Sequence, residues 1–168
     1  MKKISIKLLE EKDIPSIVDA FKKADWKKPT SLFEQYLKEQ QNNQRTSWVA
    51  CLENHIAGYI TLKWQSEYQD FLTNNIPEIK DLNVLPEYRN LGIGNKLLET
   101  AEAMAKEKSN VIGIAVGLHK SYGAAQKLYI KHGYVPDGEG LTYNSKPVEF
   151  GESVIVDDDL VLWLTKKI

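Results

Sequence analysis

Tyr122, Gln126 and Tyr129 stand at i, i+4 and i+7 of a segment whose pattern predicts a helix from Ser121 to His132, so they share one face of it. A phenol there can donate a hydrogen bond or a proton. Upstream, Arg89-Asn90-Leu91-Gly92-Ile93-Gly94 opens the strongest predicted helix of the chain. Glycines at a helix entrance let the backbone approach a ligand and turn several N–H groups toward it, and the helix dipole favours an anion there. For an isolated Gly-x-Gly, a plain turn that starts a helix is the commoner meaning. Two phosphate motifs are excluded by inspection. A Rossmann fingerprint needs a third glycine three residues after Gly94, where Leu97 stands, and a Walker A loop needs Gly-Lys-Ser/Thr, which is absent.

The other groups with chemical capacity are scattered. Glu78 and Asp81 lie on a predicted strand over residues 76–84, on opposite faces if it is regular; a bulge would bring them into another relation. Each is also readable as a surface or ion-paired carboxylate. His55 belongs to a predicted turn, His119 follows a strand and His132 ends a helix; no pair has metal spacing, and all three are read as structural. Cys51 is the single cysteine, so no internal disulfide forms, and its apolar surroundings Trp48-Val49-Ala50-Cys51-Leu52 suit a buried small hydrophobe. Asp157-Asp158-Asp159 reads as a solvated turn, with an acidic lip for a cationic amine as the sharper alternative.

These residues need elements to position them. Ile4, Ile6 and Leu8 alternate with polar residues as a first strand. Asp13 is placed to cap a helix reaching Ala24, and Ser31-Leu32-Phe33-Glu34 has capping-box spacing for a second helix ending near Gln41. Two strands, from Trp48 to Leu52 and from Ile56 to Lys63, flank a turn at Glu53-Asn54-His55. The stretch from Trp64 to Asn75 has no clear period and is read as a loop, a reasonable wall for an acceptor through Glu67, Tyr68 and Asp70. After the 76–84 strand, Ile93, Leu97, Ala101, Met104 and Lys108 fall on one helical face. A short strand from Val111 to Val116 and the Tyr129 helix follow, with Gly133 as its left-handed C-cap. Gly138 and Gly140 mark turns, and late strands are expected around Val148 to Val156 and Leu160 to Leu164. This order implies a mixed sheet with helices packed on its faces.

At 168 residues, with no repeat, linker or composition break, the chain is expected to be one domain. Hydrophobic residues at 42% and charged residues at 27% describe an ordinary globular protein. A net charge of -1 with interspersed signs gives no basic field for nucleic acid. No signal-length or membrane-length apolar stretch occurs, so a cytoplasmic protein without membrane attachment is the expectation.

Arg-x-x-Gly-x-Gly at 89–94, after Asp81-Leu82-Asn83-Val84-Leu85-Pro86-Glu87-Tyr88, resembles the acetyl-CoA signature of the GNAT N-acetyltransferase superfamily. Ala125-Gln126-Lys127-Leu128-Tyr129-Ile130-Lys131-His132-Gly133-Tyr134 resembles that superfamily's Ala-x-x-Leu-Tyr-x-Lys-x-Gly-Phe/Tyr segment at the expected distance. The matched blocks cover about residues 76 to 138.

The resemblance implies an α/β (α+β) fold with a mixed, mostly antiparallel central sheet and helices on both faces, occupying 1–168 as a single domain. It implies an acetyl-CoA-dependent transferase that moves an acetyl group to a primary amine of a small molecule or peptide, with no metal. Strands 76–84 and 111–117 would splay around the pantetheine arm. Backbone near Asn83, Val84 and Leu85 would bind that arm, and the N–H groups of Asn90, Leu91, Gly92, Ile93, Gly94 and Asn95 the pyrophosphate. Arg89 would add a side-chain contact or remain a solvated arginine. Tyr129 occupies the place of a tyrosine that protonates or hydrogen-bonds the thiol, and Glu78, eleven residues before Arg89, that of a glutamate base acting directly or through water. Many relatives use a water chain instead. Where the family often has asparagine for pantetheine, this chain has Tyr122, which would replace that contact by stacking or through its hydroxyl. His119 is the one histidine within plausible reach of such a cofactor cleft. The acceptor amine is not readable, and dimers are common among the proteins resembled. A non-catalytic acyl-CoA-binding or sensor module is the competing reading.

Overall fold

The computed structural model describes residues 3–168, in two compact units. One comprises the chain up to Trp64 together with Ile79–Met104, the other Gln65–Glu78 with Ala105–Ile168. Fold class is mixed α/β, with eight strands among the described residues and antiparallel register in the pairings detailed below.

In the first unit, β1 (Ile4–Leu8), β2 (Arg45–Leu52) and β3 (His55–Lys63) form an antiparallel meander beside most of β4 (Glu78–Val84). Register runs from Ile4 opposite Leu52 to Leu8 opposite Trp48, and from Arg45 opposite Lys63 to Leu52 opposite His55. The β2–β3 turn is made by Glu53 and Asn54, both at positive φ (49° and 70°), as a twist-matched two-residue hairpin requires.

Helices α1 (Ile14–Lys23) and α2 (Thr30–Gln41) bury their apolar stripes in one cluster with the strands: Ile17, Phe21, Phe33, Tyr36, Val49, Tyr59 and Leu85. Phe21 and Phe33 each present an edge-to-face contact to Tyr59 at 5.3 Å between ring centroids. Cys51 lies in this cluster, and burial raises its thiol above the ordinary range.

Two cap expectations fail. The Asp13 carboxylate accepts from Glu10 N–H at 3.1 Å and pairs with Lys7 at 2.5 Å instead of capping α1. Ser31 is already inside α2, whose N-cap is Pro29, so no capping box forms. In both, the chain's approach to the helix carries the side chain away from the first-turn amides.

The second unit holds β5 (Val111–Gly117), β6 (Val135–Tyr143), β7 (Lys146–Pro147) and β8 (Leu160–Lys167) in the order β5-β8-β6-β7. The stretch expected as a loop contains α3 (Gln69–Thr73), which drives Phe71 against Tyr68 and Trp163. Tyr68 and Trp163 stack at 4.1 Å and 4°. Gly113 makes room for this, since a Cβ there would lie 2.0 Å from the Phe71 ring.

Gly138 and Gly140 do not end a strand. They sit inside β6 at φ 97° and 81°, where its register against β8 breaks between Pro136 and Leu141. The expected strand over residues 148–156 is irregular instead, and pairing beyond β6 is limited to the two-residue β7.

Candidate active site

Chain geometry ahead of α4 (Ile93–Lys106) is set by backbone that most residues avoid. Asn90 has φ 60° and Gly92 φ 83°, and the space beside Gly92 is open to 4 Å where a Cβ would project. Lys96 N–H donates to Gly92 C=O at 3.1 Å, closing the first helical turn onto the loop. The amides ahead of that bond therefore precede the helix's own ladder, at the positive end of its dipole. Leu91 is exposed and Ile93 is buried, so the loop is anchored on one side and open on the other. Backbone amides at the start of a helix favour an anion, and this stretch suits a pyrophosphate.

Just upstream, β4 approaches β3 closely enough that a Cβ on Gly58 would lie 2.3 Å from the Asn83 carbonyl oxygen. Asn83 Nδ2 donates to Asp81 C=O at 2.9 Å. Leu85 donates its N–H to Ala57 C=O at 2.9 Å and accepts from Tyr88 N–H at 2.9 Å, while its side chain is buried. Arg89 folds back: Nε donates to Val84 C=O at 3.3 Å, and the guanidinium lies over the Trp26 ring at 5.5 Å from its centroid. That cation–π contact is a third role beside the two expected from sequence.

In the second unit, α5 (Gly123–Lys131) carries Tyr129 and Gln126, with Tyr122 at its N-cap. Tyr129 is 5% exposed; burial first, and the neighbouring Tyr122 second, raise its phenol well above the usual range. Gln126 Nε2 donates to Gly117 C=O at 2.8 Å, tying the helix to the end of β5. The helix ends as expected, with Gly133 at φ 87° and Tyr134 N–H donating to Tyr129 C=O at 3.0 Å.

The acetyltransferase (GNAT) family profile matches residues 14–134, about three quarters of the chain, and spans both the loop and this helix. The chain belongs to the GNAT acetyltransferase family.

Solved structures agree on the fold of this GNAT chain. An N-acetyltransferase from Staphylococcus aureus Mu50 superposes with a TM-score of 0.71 at 16% identity, covering 98% of each chain. The ribosomal-protein-alanine N-acetyltransferase from Brucella melitensis gives 0.71 at 18% identity, covering 98% of this chain and 99% of the other. The PaiA N-acetyltransferase from Thermoplasma acidophilum, solved in complex with coenzyme A, gives 0.68 at 18% identity and covers 99% of each. No curated protein matches the sequence significantly.

The remaining expected groups are placed as follows. Tyr122 donates its hydroxyl to Asp158 Oδ1 at 2.8 Å, and its ring packs on Gly117, where a Cβ would come within 2.5 Å of it. Glu78 is 2% exposed, and its Oε2 accepts from Ser66 Oγ at 2.6 Å, which in turn accepts from Tyr68 N–H at 3.0 Å. A carboxylate so enclosed reaches a substrate proton only through an intermediary. His119 caps the turn at Lys120–Tyr122 by accepting from Ser121 N–H at 3.3 Å, a structural role. His132 is the C-cap of α5. Among the described residues no group of three or more His, Cys, Asp or Glu is arranged to hold a metal, and no helix is long and apolar enough to cross a membrane.

Sequence reasoning missed one polar cluster in the first unit. Tyr36 donates its hydroxyl to Asp81 Oδ2 in a short hydrogen bond. Arg45 is 5% exposed, donates to Glu39 Oε2 at 2.5 Å and Thr61 Oγ1 at 2.6 Å, and lies 4.5 Å from the Tyr36 ring centroid. Asp81 adopts φ 57° in the middle of β4, so the regular alternation that sets it opposite Glu78 does not hold. Tyr36 and Arg45 carry no local motif, and their distance in sequence from Asp81 left no signal to follow.

Proposed function

We propose that this GNAT chain transfers an acetyl group from acetyl-CoA directly to a primary amine of a small molecule or peptide, with residues 1–168 acting as one domain in the cytoplasm. The observation that carries this reading is the pairing, in a chain of this family, of the 89–94 loop with the Tyr129 helix. The coenzyme A complex of the PaiA enzyme is consistent with it.

The amides from Asn90 to Asn95 would hold the pyrophosphate, with Arg89 released from Trp26 to join them. Backbone near Asn83, Val84 and Leu85 would carry the pantetheine arm, and Tyr122 would contact the cofactor by stacking or through its hydroxyl.

The chemistry follows from the groups involved. A free alkylammonium has a pKa of roughly 10.4 and cannot attack until it loses a proton. The neutral nitrogen then bonds to the thioester carbonyl carbon, the C–S bond breaks, and sulfur leaves as a thiolate that is stabilised by a donor. Tyr129, whose buried phenol keeps its proton throughout the neutral range, is that donor. The ammonium's first proton goes to solvent, and Glu78 would take the second, released from nitrogen as the amide forms, through water or through Ser66.

The test is thiol release from acetyl-CoA against a panel of amines and peptides, for the natural chain and for Tyr129→Phe. Tyr129→Phe is expected to lose roughly a hundredfold in kcat, the low end for a general acid, while acetyl-CoA affinity measured by calorimetry is retained. Tight acetyl-CoA binding with no thiol release across the panel would favour a sensor module.

A further inference from the structure

Tyr36, Tyr59 and Asp81 come from α2, β3 and β4 and are brought together: the Tyr36 and Tyr59 ring centroids lie 6.4 Å apart, and Tyr36 hydrogen-bonds Asp81. The three groups are unevenly satisfied. Tyr36 donates to Asp81. The Tyr59 hydroxyl, on a residue only 2% exposed, makes no hydrogen bond to any protein group. An unpaired buried hydroxyl costs roughly 1–3 kcal/mol, so this group calls for a partner, whether a water or a ligand. Burial chiefly, and the Asp81 charge next, push the Tyr59 phenol above its ordinary range, which places the orphan hydroxyl within the field of that carboxylate.

The hydrogen bonds around the cluster are unevenly shared as well. Arg45 is the buried cation nearest the cluster, and it is committed to Glu39 and Thr61. Glu39 is held below the ordinary carboxylate range because the hydrogen bonds from Arg45 and Gln35 outweigh the upward push of burial. Lys63 also acts on Glu39. Half-buried Asp81 has the Tyr36 hydroxyl, not Arg45, as its side-chain hydrogen-bond partner. A primary ammonium already lies on this aromatic surface: Lys28 Nζ, from the α1–α2 connection, sits 5.7 Å from the Tyr59 ring centroid. Asp81 is also placed for such a role by chain order. It precedes Asn83 by two residues, roughly 7 Å along a strand, and its carboxylate is turned by the left-handed backbone at that point.

We propose that Asp81, with the Tyr36 and Tyr59 hydroxyls, is the subsite that receives the ammonium group of the acceptor, and that the acceptors are primary alkylamines without a carboxylate beside the amine. The ammonium donates to the Asp81 carboxylate and to the Tyr59 oxygen, and Tyr36 holds the carboxylate in place. An α-amino acid would bring its own carboxylate against Asp81 and is excluded by repulsion. This subsite rests on the acetyl-transfer reading for its purpose, yet its binding chemistry is measurable without turnover.

The experiment has two arms, both on the full chain saturated with coenzyme species. Calorimetry in the presence of coenzyme A measures the affinity for phenethylamine, 1,4-diaminobutane and phenylalanine. Thiol release from acetyl-CoA measures KM and kcat for the same compounds. The natural chain is expected to bind both amines and at least tenfold more weakly phenylalanine. Asp81→Asn, which keeps a residue tolerant of positive φ, is expected to weaken amine binding and raise KM at least tenfold with acetyl-CoA affinity unchanged. Tyr59→Phe removes a hydroxyl with no partner in the fold, so it should leave Tm equal or higher while weakening amine binding about threefold or more. A purely structural Tyr59 would leave amine affinity unmoved. Amine affinities unchanged in both variants, or no amine binding by the natural chain, would overturn the subsite. Asp81-dependent amine binding without thiol release would overturn acetyl transfer and leave the subsite standing.

Discussion

At the scale of single residues, the proposed reaction would divide its demands between Tyr129 and Asp81. Sulfur needs a donor that has not already lost its proton, and burial gives Tyr129 that property. The nitrogen needs attraction before it needs deprotonation, and the Asp81 carboxylate, held by Tyr36, would offer it under the proposed subsite. The two roles predict different kinetic signatures. Tyr129→Phe should lower kcat and kcat/KM together, because the lost hydrogen bond strengthens only as sulfur departs. Asp81→Asn should act first on KM and amine affinity. Rapid-mixing measurements of bound thiol would distinguish the two, since only Tyr129→Phe slows the chemical step itself.

At the scale of elements, two glycines are required for different reasons, and their substitutions separate packing from strain. Gly58 sits where β3 meets β4, and its Cβ would lie 2.3 Å from a backbone oxygen that cannot rotate away. Gly58→Ala should therefore cost about 3 kcal/mol, the upper end for overpacking, read as a fall in the midpoint of chemical denaturation. Gly92 has empty space beside it but φ 83°, so Gly92→Ala should cost only about 1–2 kcal/mol of backbone strain. Its larger effect should be on the loop: relaxing φ turns the helix-entrance amides aside. Acetyl-CoA affinity is expected to fall at least tenfold in Gly92→Ala, measured by calorimetry. An unchanged affinity would separate the loop from pyrophosphate binding.

At the scale of the whole molecule, the notable quantity is the number of phenols held neutral by their surroundings. Tyr36, Tyr59 and Tyr129 are each at most 5% exposed, and burial is the leading cause that raises each of them. In the unfolded chain these phenols titrate near roughly 10. Above that pH the unfolded state loses protons that the folded state retains, so the unfolded state binds fewer and stability falls as pH rises. Their contribution is complete below about pH 10 and is lost progressively above it, at roughly 1.4 kcal/mol per pH unit for each phenol. Thermal midpoints should therefore stay nearly level as pH rises toward 9 and drop steeply beyond 10. Tyr59→Phe should make that drop shallower.

Sequence alone determined the features whose cause is local. The Arg89–Gly94 loop, the Tyr129 helix with its Gly133 cap, the β2–β3 turn and the stripe of α4 depend on spacing within a few residues, and spacing is what a sequence displays. The helix caps were less legible, because Asp13 and Ser31 have suitable side chains but the chain's approach to each helix decides their use. The segment over residues 64–75 was illegible as a helix, since α3 forms where Phe71 finds a space left by Gly113, forty-two positions away. Tertiary structure decided the Tyr36–Asp81 cluster, where the amine subsite is proposed, for the same reason. Tyr36, Arg45, Tyr59 and Asp81 have unremarkable neighbours along the chain, and their chemistry exists only because α2, β2, β3 and β4 bring four side chains into one low-dielectric place. A positive φ at Asp81 completes it, and no residue type announces that angle in advance.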